Sequence, residues 1–239
     1  MTTSKVALIT GANKGLGFEI ARQLGARGIT VVVAARELSK AENAAARLRN
    51  EGIEAEPVKL DVSSQKDIDA LPGFFREKFG RLDLLINNAG INLDFSGPVT
   101  PDSMRATFET NTIAPFAVTQ ALLPLLREAP AGRIVNHSSI MGSLTVMGNS
   151  AQAADEMTAP AYCASKAALN MLTVIQARQL AGTNIKVNAA HPGWVKTDMG
   201  TNAAPMEIVD GAKTAVELAL LPDDGPTGGF FHLGQRLPW

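Results

Sequence analysis

The sequence predicts an α/β fold, with one doubly wound parallel sheet of about seven strands and helices on both of its faces. Short apolar runs rich in β-branched residues alternate with longer amphipathic stretches, as right-handed crossovers between parallel strands require. A glycine-rich turn joins the first apolar run to the first amphipathic stretch. Because the chain shows no repeat, low-complexity segment or linker-like change in composition, we interpret residues 1–239 as a single domain.

The predicted strands are apolar on both faces, which is typical of strands buried in a parallel sheet. The clearest runs lie at 5–10, 30–35, 82–87, 132–138 and 185–190. A weaker strand is predicted at 54–62 and a further one at 228–233.

Capping residues predict where several helices begin. Ser39 and Glu42 have the spacing of a capping box. Ser64 is predicted to cap the next helix, which Pro72 should interrupt or kink. Thr100, followed by a proline, is predicted to open another helix.

Composition argues against several classes of function. The chain has 239 residues and a formal net charge of -1, and it lacks the basic run that grips a nucleic-acid backbone. Its apolar runs are shorter than the ~20 residues of a membrane span, and its first residues resemble a buried strand more than a signal peptide. The single cysteine, Cys163, fits a reducing compartment, and the three histidines lack metal-ligand spacing. We therefore expect a soluble, cytoplasmic protein that needs no metal, membrane or nucleic acid.

The turn "TGANKGLG" (10–17) predicts a dinucleotide site on a Rossmann fold. Its glycines are Gly11, Gly15 and Gly17. Glycines allow a tight turn and close backbone approach, and the following helix offers free N–H groups to a pyrophosphate. The alternative is a tight turn without a ligand.

The end of the second predicted strand indicates which dinucleotide binds. Ala35 occupies the position where NAD-binding proteins usually carry an acidic residue. Arg36 follows it, and Lys14 lies within the glycine turn. Two cations can neutralise a 2′-phosphate, so NADP(H) is favoured over NAD(H). In the alternative, Arg36 is solvated and Glu37 binds the ribose.

Further motifs in a fixed order resemble the short-chain dehydrogenase/reductase family. After the glycine turn come "LDV" (60–62), "NNAG" (87–90), Asn111, a serine after the fifth strand, Tyr162 with Lys166, and "HPGWVKTDMG" (191–200). Within the family, "TGANKGLG", "SSIMG", "PGWVKTDM" and "ALLPDDGPTGGFF" are most similar to the carbonyl reductases. The resemblance implies NADPH-dependent reduction of ketones and aldehydes.

The resemblance also implies site residues. The implied catalytic residues are Asn111, Ser139, Tyr162 and Lys166. It implies cofactor contacts near the adenine (Asp61 and Val62), beside the ribose (Asn88, Ala89 and Gly90) and around the nicotinamide (Pro192, Gly193, Val195 and Thr197). The other predicted cofactor contacts are Gly11, Asn13, Lys14, Gly15, Leu16, Gly17, Arg36, Tyr162 and Lys166.

The serine assignment favours Ser139 over its neighbour Ser138. The family's serine lies three residues before a small residue, which here is Gly142. His137 falls within the strand run, so we expect it to be packed or hydrogen-bonded.

The implied mechanism uses Tyr162 as the general acid. Positions i and i+4 share a helix face, so Lys166 lies beside Tyr162, and its ammonium should lower the pKa of the phenol from about 10. Ser139 would hold the substrate oxygen, and Lys166 would also bind the ribose hydroxyls. Asn111 would anchor a water that relays protons. The alternative for Tyr162 is a buried aromatic residue bonded to a backbone carbonyl.

Residues 143–159 are predicted to form a flap over the active site. Met141, Met147 and Trp194 would give the pocket an apolar wall, and the predicted substrate contacts are Ser139, Met141, Tyr162 and Trp194. A surface excursion without substrate contact is the alternative.

The sequence is also compatible with two other functions. A 3-oxoacyl-carrier-protein reductase shares the same catalytic residues, and a non-catalytic NADP-sensing protein shares the fold. The expected partner is a small carbonyl compound, and the sequence leaves a homodimer, a homotetramer and a monomer open.

Overall fold

The computed structural model describes residues 4–149 and 158–239. Its strands are β1 (Val6–Ile9), β2 (Thr30–Ala35), β3 (Ala55–Lys59), β4 (Leu84–Asn87), β5 (Arg133–His137), β6 (Lys186–Ala190), β7 (Phe230–His232) and β8 (Gln235–Arg236). Its α-helices are α1 (Gly15–Gly25), α2 (Leu38–Asn50), α3 (Gln65–Lys78), α4 (Pro101–Phe108), α5 (Ala114–Arg127), α6 (Leu144–Met147), α7 (Pro160–Gln179), α8 (Ile208–Gly211) and α9 (Lys213–Ala219). A π-helical turn, Glu109–Ile113, joins α4 to α5, and a 3₁₀ turn, Ile140–Gly142, follows β5.

The described strands form one sheet in the order β3-β2-β1-β4-β5-β6-β7-β8. Strands β1 to β7 pair in parallel, and β8 pairs antiparallel with β7. The predicted doubly wound sheet is therefore confirmed. The short β8 was not predicted, because two residues are too few to show an alternating pattern. The strand order reverses between β1 and β4, which is where ligands bind in sheets of this type.

Two apolar clusters cover the two faces of the sheet. Along β1, Ala7 and Ile9 belong to one cluster, while Val6 and Leu8 belong to the other, as the two-residue period of a strand requires. The first cluster includes buried residues of α1, α2 and α9, and the second includes those of α3 and α5. This packing fixes the helices against the sheet and leaves the carboxyl ends of the strands available for a site.

Two of the three predicted helix starts agree with the structure. Ser64 accepts the N–H of Asp67, and Thr100 forms a capping box with Ser103. The predicted Ser39 capping box is wrong, because α2 already begins at Leu38 with no side-chain cap. Of the two outcomes predicted at Pro72, the interruption is wrong, because α3 continues through the proline with buried residues on both sides of it, including Ile68 and Phe75. The kink stays a prediction.

The described part of the chain offers neither a helix suited to cross a membrane nor a cluster of side chains suited to hold a metal ion. None of the helices there combines the length and the apolar character needed to cross a membrane. The same residues contain no group of three or more His, Cys, Asp or Glu side chains arranged to hold a metal ion.

Candidate active site

The glycine turn between β1 and α1 is built for close backbone approach. Gly11 and Gly15 have positive φ angles of 63° and 57°, which side chains rarely tolerate. A Cβ at Gly17 would lie 2.5 Å from Asn88 Nδ2. The helix α1 has no side-chain cap at its N-terminus, where Lys14 is the N-cap residue. Its first N–H groups and the helix dipole therefore suit an anion such as a pyrophosphate.

The turn after β4 is bonded directly to this glycine turn. Thr10 Oγ1 accepts the backbone N–H groups of Asn88 and Ala89 at 3.0 and 2.9 Å. In return, Asn88 Nδ2 donates to Thr10 O at 2.9 Å. The predicted ribose contacts at 88–90 therefore lie beside the predicted pyrophosphate contacts. His137 joins this network, because its Nδ1 donates to Asn88 Oδ1 at 2.9 Å, and the expectation of a packed, hydrogen-bonded histidine is confirmed.

The predicted phosphate-binding cations are exposed and lie at the edge of the site. Ala35 is buried at the end of β2, and Arg36 after it is exposed. Lys14 forms an ion pair with Asp198 in the loop after β6. The sequence did not predict this partner, which is far along the chain and belongs to no acidic motif. Of the predicted adenine contacts, Val62 is buried, and the Asp61 carboxylate accepts the hydroxyl of Ser63 at 2.6 Å.

The loop after β6 lies against the glycine turn. Gly193 has a φ of 89°, and a Cβ added at Gly15 would lie 3.9 Å from Thr197 Cγ2. Val195 is buried within this loop. The predicted nicotinamide contacts at 192–197 therefore belong to a loop that contacts the glycine turn at Gly15.

The predicted catalytic residues come together at the carboxyl edge of the sheet. Tyr162 and Lys166 are buried on the first turns of α7. The Ser139 hydroxyl lies beside the Tyr162 hydroxyl, where it acts to lower the pKa of the phenol, and it accepts the N–H of Met141 at 3.2 Å. Lys166 Nζ donates to His137 O at 2.7 Å and lies 5.6 Å from the centre of the Tyr162 ring. The i,i+4 spacing therefore does bring the phenol and the ammonium to one face, beside Ser139.

Burial controls the ionisation of this pair. It raises the pKa of Tyr162 to about 12 and lowers the pKa of Lys166 to about 8, because a low-dielectric surrounding disfavours both charged forms. The expected lowering of the Tyr162 pKa by Lys166 is therefore wrong for this structure. Lys166 donates to a backbone carbonyl, and the desolvation of Tyr162 outweighs the lowering of its pKa by Ser139. The phenol stays protonated at neutral pH, as a general acid requires.

Asn111 links the β4 end of the site to α7. It lies in the π-helical turn, a distortion often found at functional sites. Its Nδ2 donates to Ile91 O at 2.8 Å and to Ser165 Oγ at 3.0 Å, and its Oδ1 accepts the N–H of Ile91 at 2.9 Å. Asn111 thus lies near the catalytic helix. Its predicted water relay stays a prediction.

The turn that carries Ser139 packs directly on the catalytic helix. A Cβ at Gly142 would lie 2.6 Å from the Lys166 carbonyl carbon, so only glycine allows this approach. Ser138 Oγ donates to Asn170 Oδ1 at 2.6 Å, and Asn170 Nδ2 donates to Gly142 O at 3.0 Å. Ser138 is therefore bound to Asn170, while Ser139 meets Tyr162.

Sequence reasoning missed the residues that hold this arrangement. Asn170 lies one turn beyond Lys166 on α7, and Asp94 Oδ2 accepts the backbone N–H of Tyr162 at 2.9 Å. Ser165 Oγ donates to Tyr162 O at 2.8 Å. The only available signal for Ser165 and Asn170 was a polar residue on an otherwise alanine-rich helix face, which does not identify a partner.

Exposed apolar side chains lie near the site. Trp194 is 56% exposed and Leu144 is 77% exposed, whereas Met141 is half-buried. Trp194 Nε1 donates to Gly200 O at 2.7 Å, which fixes the indole on its own loop. Residues 150–157 of the predicted flap (143–159) lie outside the described residues, so the flap stays a prediction.

The sheet is mostly parallel and has its switch point beside the glycine turn. Together with the buried tyrosine–lysine pair, these features define a class of dinucleotide-binding α/β proteins. The family model for short chain dehydrogenases matches residues 5–208. The chain belongs to the short-chain dehydrogenase family, which the sequence motifs predicted.

Individual relatives are similar over almost the whole chain. Carbonyl reductase (NADPH) 1 of Sus scrofa is 36% identical over 100% of this chain and 95% of its own. The (-)-isopiperitenone reductase of Mentha piperita is 33% identical over 98% of each chain. The NADPH-bound carbonyl reductase from chicken fatty liver is 31% identical, covers 99% of both chains and superposes with a TM-score of 0.84. The predicted carbonyl reductase-like branch is confirmed.

Proposed function

We propose that this protein is an NADPH-dependent oxidoreductase that reduces the carbonyl group of a ketone or aldehyde to an alcohol. The observation that carries the proposal is the proximity of the Ser139 and Tyr162 hydroxyls beside buried Lys166. Two hydroxyls that converge next to a cation suit the oxygen of a carbonyl group, on which negative charge develops during reduction.

The similarity to carbonyl reductases supports this reaction. Two of the relatives described above are named as carbonyl reductases that use or bind NADPH, and both extend over nearly the whole of this chain. The chain has Asn111, Ser139, Tyr162 and Lys166 at the matching motif positions, which argues against a non-catalytic NADP-sensing protein.

The cofactor site fits NADP(H) by its chemistry. The uncapped N-terminus of α1 suits the pyrophosphate. Buried Ala35 leaves space where an acidic side chain would repel a 2′-phosphate, and exposed Arg36 can bind that phosphate through its planar guanidinium group. When bound, the nicotinamide supplies the hydride, and the residues at 192–197 would orient its ring.

The protein's own side chains would then handle the substrate oxygen. Ser139 would donate to it and hold it in place, and Tyr162 would donate its phenolic proton as the alcohol forms. Protonated Lys166 would stabilise the negative charge left on Tyr162 and bind the ribose hydroxyls. Asn111 would hold a water molecule that relays protons to Lys166.

The substrate is proposed to lie against the apolar side chains beside the site. Met141 and Trp194 would contact its hydrocarbon part, because pockets of this kind combine an apolar wall with a few polar anchors. Residues 143–159 would act as a flap over bulky substrates.

A turnover screen tests the function. The purified protein is supplied with NADPH or NADH and with aromatic aldehydes, α-diketones, quinones or acyl thioesters, and oxidation of the cofactor is followed by absorbance. We expect reduction of simple carbonyl compounds, with a higher kcat/KM for NADPH than for NADH. Turnover restricted to acyl thioesters would favour a 3-oxoacyl-carrier-protein reductase. NADPH binding without any turnover would favour a sensing protein.

A further inference from the structure

His191 lies where the catalytic serine turn meets the loop that lines the cofactor cleft. It follows β6, and its backbone N–H donates to Phe231 O at 2.8 Å. Its ring Nδ1 accepts two backbone N–H groups, that of Ile140 at 3.3 Å and that of Gly193 at 3.4 Å. One ring nitrogen thus joins two segments that are far apart in sequence.

The ring must be neutral to do this. Nδ1 can accept only when it carries no proton, which leaves the hydrogen on Nε2. Burial, with a smaller effect from the neighbouring His232, lowers the pKa of His191 to about 3. The acceptor form therefore persists through the pH range in which an enzyme of this kind would work.

The two bonded segments carry the two sides of the proposed reaction. Ile140 directly follows Ser139, whose hydroxyl meets Tyr162. Gly193 lies in the loop proposed to orient the nicotinamide. Its φ is 89°, a backbone conformation that favours glycine. The separation between the proton-donating hydroxyls and the hydride donor thus depends on the position of His191.

Aromatic packing holds the ring in this orientation. The His191 ring lies 4.8 Å from that of His232 and 6.4 Å from that of Phe230. Phe230 in turn stacks on Trp239 at 5.6 Å with an interplanar angle of 13°. His232 Nδ1 donates to His191 O at 2.9 Å, which fixes the backbone beneath the ring.

We propose that His191 is a positioning residue that sets the distance between the Ser139–Tyr162 hydroxyl pair and the cofactor, and so controls the rate of hydride transfer. The inference rests on the proposed function. His191 acts through the backbone of Ile140 and Gly193 and donates no proton to the substrate.

Three variants separate this role from simple packing. His191→Phe keeps a ring of similar size and removes the acceptor. His191→Asn restores an acceptor oxygen at a similar distance from the backbone. Thr183→Val is the matched control, because it also removes a side-chain acceptor of a backbone N–H, that of Ile185 at 3.2 Å, but at the opposite end of β6 from His191.

Single-turnover oxidation of bound NADPH by a good carbonyl substrate is measured for each variant, per NADPH-binding site, together with the Kd for NADPH and the melting temperature. For His191→Phe we expect the hydride-transfer rate to fall by about 10- to 100-fold, as a misplacement on the order of 1 Å produces. Its Kd for NADPH should change by less than about threefold, since no pyrophosphate contact is lost. His191→Asn should recover most of the rate, and Thr183→Val should stay near wild type.

A His191→Phe protein with the wild-type hydride-transfer rate overturns the inference, whatever its melting temperature. Equal losses in His191→Phe and His191→Asn also overturn it, because the acceptor would then be irrelevant. Tyr162→Phe, measured alongside, identifies failure of the proposed function: normal turnover in that variant rejects the function itself. If Tyr162→Phe shows no turnover while His191→Phe keeps the wild-type hydride-transfer rate, only the positioning role of His191 is rejected.

Discussion

The two ends of the cleft hold their charged and polar groups in opposite ways. At the proposed catalytic end, Ser139, Tyr162 and Lys166 are at most 9% exposed. There the Ser139 hydroxyl accepts the N–H of Met141, and Lys166 donates to His137 O. At the phosphate end, the Lys14 side chain is 70% exposed and its partner Asp198 is 81% exposed, and Arg36 is exposed as well.

This difference indicates that the positions of the buried polar groups are fixed by the fold, whereas the exposed charged side chains can change partners. A buried polar group needs a partner, because leaving it unpaired costs roughly 1–3 kcal/mol. An exposed ion pair contributes about 0–1 kcal/mol, so Lys14 can exchange Asp198 for a phosphate with little effect on stability. Small packing changes should therefore damage the chemistry, while surface charges should mainly tune the choice of cofactor.

The largest effect among the packing changes is expected for Gly142→Ala. The added methyl group would lie 2.6 Å from the Lys166 carbonyl carbon, so the serine turn must move away from Tyr162. We expect kcat to fall by about 100-fold. The control is Gly73→Ala in α3, where a Cβ meets nothing within 4 Å and alanine should slightly favour the helix. Equal kcat values in the two variants would contradict a rigid catalytic end.

A smaller effect, confined to cofactor choice, is expected for Arg36→Ala. Loss of a guanidinium–phosphate contact should lower the ratio of NADPH to NADH kcat/KM by about 10-fold or more. Arg105→Ala, which removes an exposed arginine paired with Asp102 on α4, should leave the ratio unchanged. An unchanged ratio in Arg36→Ala would instead favour Glu37 as a ribose ligand and an NAD-type site.

The pH dependence of carbonyl reduction should follow Lys166. Its pKa is lowered to about 8, whereas that of Tyr162 is raised to about 12, so the phenol keeps its proton after the ammonium has lost its own. Reduction should be constant below pH 8 and decline above it, by about tenfold per pH unit if the ammonium is essential. Measurement of kcat/KM from pH 6 to 10 checks this. A rate that rises above pH 8 would contradict the assignment.

The smallest effect is expected for Asp198→Asn. Without the carboxylate, Lys14 is free to meet a phosphate, so the KM for NADPH should fall by about two- to fivefold, in keeping with an exposed pair. The KM for NADH should stay constant. Asp102→Asn removes a similarly exposed, paired carboxylate outside the cleft and serves as control. A lower KM for both cofactors would mean that the ion pair closes the cleft instead of competing for Lys14.

The features that the sequence predicts correctly are those that depend on the spacing of residues close together in the chain. The i,i+4 relation of Tyr162 and Lys166, the glycines of the turn, and the β-branched runs are each set by a few neighbouring residues. Motif order then identified the family before any side-chain contact was known. Ser64 and Thr100 were recognised as caps for the same reason.

Long-range contacts and burial explain what it could not. Asp198 contacts Lys14 across 184 positions, and His191 contacts Ile140 across 51. Both residues lie in the motif at 191–200, but the motif does not indicate their partners. The direction of the Tyr162 pKa depends on desolvation, which spacing does not reveal. Pro72 fails to break α3 because tertiary packing on both sides outweighs its local effect.

The central claim is that Tyr162 donates the proton to the reduced carbonyl oxygen. The most direct test is the single-turnover rate of NADPH oxidation by Tyr162→Phe, measured with a carbonyl compound that the wild type reduces, together with the Kd for NADPH. We predict a loss of about 1,000-fold or more in rate and a Kd close to that of the wild type. A Tyr162→Phe protein that binds NADPH and reduces the carbonyl at a near-normal rate would contradict the account.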